Sequence, residues 1–155
     1  MALVALIIGS KTDETYVKPM MALFDEFGIS YEFSIISAHR NPSKLKKYVT
    51  SASKKGIEVI VAAAGASAAL PGAIASWNES AIPVIGVPLP TSELKGVDSL
   101  YSIVQMPSGI PVACMGIGVA GAKNAAFLAA QILGLKHNGI KKSYEKFRKK
   151  LQRGL

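Results

Sequence analysis

Short apolar runs alternate along this chain with stretches of helical spacing, and no other feature constrains its fold so strongly. Residues 3–8 form a continuous run, the pattern of a strand buried on both faces. Residues 13–27 carry Val17, Met20, Met21 and Phe24 along one helical stripe, and Gly28 suits the left-handed residue that closes a helix. A second strand is expected over 31–36, and a second helix between Pro42 and Gly56. Further strands are expected over 57–63, 83–87 and 112–115, with helices over 70–76, 96–105, 122–133 and 140–151. Strand, helix, strand, repeated about five times with short links, gives a parallel sheet with helices on both faces. Ligands in such sheets bind beyond the carboxyl ends of the strands, so the loops that follow the strands hold the candidates.

The length of 155 residues fits one domain, 1–155, with 136–155 as a basic helix and tail within it. Half the residues are hydrophobic and 18% are charged, which excludes a disordered chain. The single Cys114 excludes an internal disulfide framework and a multi-cysteine metal site, and two histidines exclude a histidine-rich one, so no metal is expected. That cysteine usage fits a cytoplasmic location. The uncharged stretches 59–78 and 99–122 are broken by Pro71-Gly72 and by Pro107, Gly109 and Pro111. They read as buried backbone, so no membrane association is expected. The start, Met-Ala-Leu-Val, has no basic region, and no signal peptide is expected.

The net charge of +8 is concentrated: the last twenty residues hold eight Lys/Arg and one acid, Glu145. Ile140, Tyr144, Phe147 and Leu151 fall on one helical stripe among those cations, which reads as a solvated basic helix docked by its apolar side. A nucleic-acid partner is therefore not expected, since it would rest on the tail alone.

Three loops carry chemistry. In Gly9-Ser10-Lys11-Thr12-Asp13 the glycine permits a tight turn, and a helix start offers N–H groups to an anion. Hydroxyls of Ser10 or Thr12 add donors for a phosphate, and Asp13 accepts from sugar hydroxyls; a plain N-cap explains the same residues. In Ser37-Ala38-His39-Arg40-Asn41-Pro42, Arg40 suits a phosphate. The imidazole of His39 can take a proton from a reacting atom and return it. A helix cap and a surface ion pair are the plain alternative. In residues 62–72, tiny side chains let a ligand approach the backbone, or simply let helix and sheet pack closely. A fourth stretch, 116–124, reads as a glycine-rich turn before a helix; it follows the last strand and lacks the acidic partner of a dinucleotide fingerprint. The inventory fits proton transfer on a phosphorylated, ribose-bearing small molecule.

Residues 9–13, 37–40, 64–72, 98–107 and 121–126, in this order and spacing, resemble the N5-carboxyaminoimidazole ribonucleotide mutase (PurE) family over roughly residues 3–135. The resemblance implies a three-layer α/β/α sandwich with a mainly parallel, flavodoxin-like sheet of about five strands, and a homo-octamer. It implies interconversion of N5-carboxyaminoimidazole ribonucleotide and 4-carboxy-5-aminoimidazole ribonucleotide in purine biosynthesis without cofactor, the carboxylate leaving as CO2 and re-attaching at the ring carbon. Ser10, Asp13 and Arg40 would hold the ribose phosphate, and His39 would shuttle the proton. Thr12, Ser37, Ala38, Gly65, Ala66 and Leu70 complete the expected substrate contacts. Two positions depart from the family. Thr12 stands where serine is usual, keeping a hydroxyl. Ala69 stands where bacterial mutases usually carry a second histidine, and a related branch that carboxylates aminoimidazole ribonucleotide directly also has alanine there. Direct carboxylation is the alternative, and a non-catalytic nucleotide- or RNA-binding module a distant one.

Overall fold

The computed structural model describes residues 1–154. The strands are β1 (Val4–Ile8), β2 (Tyr31–Ile35), β3 (Val59–Gly65), β4 (Val84–Leu89) and β5 (Ala113–Cys114). The helices are α1 (Glu14–Phe27), α2 (Pro42–Ser51), α3 (Ala69–Trp77), α4 (Val97–Val104), α5 (Gly118–Gly134) and α6 (Asn138–Gln152). All strand pairs are parallel, in the order β2-β1-β3-β4-β5. Val4 lies opposite both Tyr31 and Val59, and Gly65 opposite Leu89. The sheet is thus the parallel, doubly covered one the alternating pattern implies.

The pleat sends successive side chains to opposite faces. Val4, Leu6 and Ile8 of β1 join Val59, Val61 and Ala63 of β3 in a core with α1, α5 and α6. Ala5 and Ile7 join Ile60, Ala62 and Ala64 in a second core with α2, α3 and Ile103 of α4. Both faces of β1 are sealed, which is why its sequence is continuous rather than alternating. Alanines 122, 125, 126, 129 and 130 of α5 are fully buried and allow α5 to approach both α1 and the sheet.

α6 docks on this first layer through aromatic contacts. The ring centroids of Phe27 and Phe147 are 5.6 Å apart, and those of Phe127 and Phe147 are stacked at 4.9 Å. Just before α6, Lys136 Nζ and His137 Nε2 lie 2.6 and 2.9 Å from the two carboxylate oxygens of Glu58.

Several boundaries differ from the sequence expectation. Lys11–Asp13 is a 3-10 turn, so α1 begins at Glu14. β3 begins two residues later than expected, because Glu58 precedes the ladder and donates its N–H to the Leu3 carbonyl. The glycine-rich stretch read as a turn is mostly helix, since α5 begins at Gly118. Packing overrides glycine's poor helix propensity there, because a Cβ on Gly121 would overlap the Gly116 carbonyl. β5 has two residues where four were expected. Leu151, expected on the docked stripe, is 51% exposed and lies outside the core that Ile140, Tyr144 and Phe147 join. Among the described residues, no helix is long and apolar enough to cross a membrane.

Candidate active site

The loops leaving β1, β2, β3 and β4 at their carboxyl ends enclose one cavity of about 450 Å³. From the first loop come Ser10, Thr12 and Asp13; from the second Ser37, Ala38, His39 and Arg40; from the third Gly65, Ala66 and Leu70. Every site residue expected from the sequence is therefore on this wall. The glycine-rich stretch 116–124 contributes no lining residue, which agrees with rejecting it as a dinucleotide loop.

In the first loop the capping arrangement runs backwards from Asp13. Its Oδ2 accepts the Ser10 N–H at 3.0 Å, and Thr12 Oγ1 lies 3.0 Å from Ser10 Oγ, to which it donates. The Ser10 amide, one of the N–H groups at this turn, is thus already engaged by Asp13. Asp13 is almost fully buried, and burial is the strongest influence on its carboxyl, raising its pKa above the ordinary aspartate value. The Ser10 and Gly9 amides and the Arg40 charge oppose that rise.

The second loop is tied to the first. Arg40 Nη2 donates to the Gly9 carbonyl at 2.9 Å, and the Arg40 amide donates to Ser37 Oγ at 3.2 Å. Arg40 also borders a smaller neighbouring cavity of about 320 Å³ with Lys11 and Asn41, so its guanidinium stands between two openings. Pro42 opens α2, as its position after Asn41 implied. His39 is exposed, and among the described residues its ring makes no hydrogen bond to the protein. An imidazole so placed is free to exchange a proton with a bound molecule.

The third loop is strained. Ala66 and Ala68 have φ of 51° and 39°, in the left-handed region that non-glycine residues rarely enter. The Ala68 amide closes this turn on the Gly65 carbonyl at 3.0 Å, and α3 starts immediately after it. Strain held in this way is characteristic of sites where backbone must face a ligand. Ala69, the position singled out in the sequence as a departure, lines the cavity with a methyl group.

Sequence reasoning missed Thr91, which lines the cavity two residues beyond β4. The loop after the fourth strand yielded no candidate, although the carboxyl-end rule applies to it equally. Ser67 and Ala64 also line the cavity, inside a segment already singled out.

The "AIR carboxylase" family model matches residues 3–154. The chain is 51% identical over 144 residues to the N5-carboxyaminoimidazole ribonucleotide mutase of Saccharolobus solfataricus, covering 93% of this chain and 89% of that protein. It is 47% identical over 150 residues to the mutase of Thermotoga maritima, covering 97% and 85%. Among solved structures, Treponema denticola PurE superposes with a TM-score of 0.84 at 28% identity, covering 99% of this chain and 93% of that one.

Proposed function

The chain belongs to the AIR carboxylase family, and from that premise we infer that it interconverts N5-carboxyaminoimidazole ribonucleotide and 4-carboxy-5-aminoimidazole ribonucleotide. The observation that carries this reading is the convergence of three sequence-distant loops, with His39, Arg40, Ser10 and Asp13, on one cavity. Arg40 and the hydroxyls of Ser10 and Thr12 bind the ribose phosphate, and Asp13 accepts from the sugar. The N–C bond of the carbamate breaks, CO2 is released into the cavity, and His39 gives the nitrogen a proton. CO2 then bonds to the ring carbon, which gives up its proton to His39. The small-residue floor of the third loop lets CO2 lie close against the backbone while the bound ribonucleotide fills the rest of the cavity and displaces water. The relatives about half identical to this chain carry the mutase name, so the direct carboxylation that Ala69 left open, and the nucleic-acid module, are not favoured.

A homo-octamer in the cytoplasm, each copy one catalytic domain, belongs to the same proposal. Val97, Tyr101 and Val104 form an exposed apolar stripe along α4, continued by Leu94, and such a patch suits a contact between copies.

The reading is tested by mixing purified protein with the N5-carboxylated substrate and following the C-carboxylated product without ATP or added metal. Aminoimidazole ribonucleotide with bicarbonate serves as the competing substrate, and its preferential use would reverse the assignment. His39→Asn should lower turnover by roughly 100-fold or more while leaving the circular dichroism unchanged.

A further inference from the structure

We propose that Thr91 is a further substrate-positioning residue, its hydroxyl donating a hydrogen bond to the migrating carboxylate beside the turn at residues 65–68. This rests on the mutase reading above. β4 pairs with β3 so that Leu89 stands opposite Gly65, and the chain then carries Thr91 back over the end of β3. A Cβ built on Gly65 would overlap Thr91 Oγ1 and come within 2.9 Å of Thr91 Cβ. The hydroxyl is therefore seated directly on the Gly65 backbone, at the cavity wall, in a position only a glycine beneath it permits.

The cavity's hydroxyls in the first two loops are tied to the Arg40 end: Thr12 donates to Ser10, and Ser37 accepts from the Arg40 amide. Among the described residues Thr91 Oγ1 makes no hydrogen bond to the protein, so its proton is free for a ligand. Nothing cationic lines the cavity at this end, since Arg40 stands with Ser10 in the other loops. A neutral donor over a floor of alanine and glycine suits a small carboxylate that must be held and yet released as CO2. A phosphate is better served by the guanidinium. When the N–C bond breaks, a hydroxyl fixed on the third loop keeps the departing group within reach of the ring carbon.

The test compares Thr91→Val, Thr91→Ala and Thr91→Ser with the wild-type chain, measuring both turnover and the partition of substrate between the 4-carboxy product and released aminoimidazole ribonucleotide. In the Val and Ala variants the carboxylated product should form about tenfold more slowly, and the released share should rise several-fold, at unchanged thermal unfolding. The Ser variant should restore both values to within about twofold, which a purely steric role would not predict. Wild-type partition in the Val and Ala variants, or a Ser variant as impaired as they are, overturns the role of Thr91. Absence of turnover in the wild-type chain overturns the mutase reading, and this role with it.

Discussion

The turn at residues 65–68 and the helix α6 are held in place by opposite means. The turn adopts conformations its own residues disfavour: two alanines sit in the left-handed region, each at a cost of about 1 kcal/mol. It persists because Thr91 and the Leu89 carbonyl crowd Gly65 and because the Ala68 amide closes on the Gly65 carbonyl. α6 adopts what its periodicity favours and is retained by burial, through Phe147 and Tyr144 against Phe27 and Phe127. One region trades stability for shape at the carboxyl rim; the other contributes stability and lines no part of that cavity. Substitutions should therefore separate activity from stability according to which region they enter.

Gly65→Ala should give the largest effect. The added methyl displaces Thr91 and reshapes the turn, and kcat/KM should fall by about 100-fold or more. An active Gly65→Ala enzyme would remove the idea that steric enclosure sets the site. Phe147→Ala should do the reverse, destabilising the fold by about 3 kcal/mol in a denaturant titration while kcat/KM stays within about twofold of wild type. A matching loss of activity would show that α6 and the rim are coupled.

Asp13→Asn sharpens the contrast within one residue. Burial raises the Asp13 pKa, so its ionised form costs stability at neutral pH, and the cost disappears as the pH falls below the ordinary aspartate range. The asparagine variant should melt at a higher temperature than wild type at pH 7, retain the bond from the Ser10 amide, and lose at least about tenfold in substrate turnover. A lower melting temperature would show that the backbone amides and Arg40 outweigh burial.

The smallest effect is expected at Glu58→Gln. Lys136, then His137, hold the Glu58 carboxyl below its ordinary value of 4.5. The stabilisation is present above that value and is lost as the pH falls through the lowered one, so the wild-type advantage in Tm should be a degree or two at pH 7, from about 0.5 kcal/mol, and vanish in acid. Turnover should not change.

The fold was legible in the sequence wherever a single local cause decides structure. Gly28 closes α1 in the left-handed conformation, with φ of 69°, Pro42 opens α2, and the unbroken run of β1 reflects burial on both sides. The site was legible in its first two loops because Ser, Asp, His and Arg announce their chemistry individually. The third loop was legible only as a small-residue floor: nothing in the composition of Ala66 or Ala68 announces a positive φ, which the surrounding contacts impose. Thr91 was invisible because its significance lies in what it covers, the Gly65 backbone, a relation between the end of β3 and the loop after β4. The start of α5 escaped for a similar reason: Gly116 and Gly121 are joined by a close approach that propensity does not encode.

The brevity of β5 bears on how copies of this chain behave when crowded. A long, flat outer strand is a template on which a foreign strand can grow, the usual route into fibrous aggregates. Here that margin is a stub pairing only Ala113 and Cys114 with Ile85 and Gly86. An incoming segment finds two residues to grip, too few to start a ladder, so concentrated solutions of the folded chain should resist growth from that side.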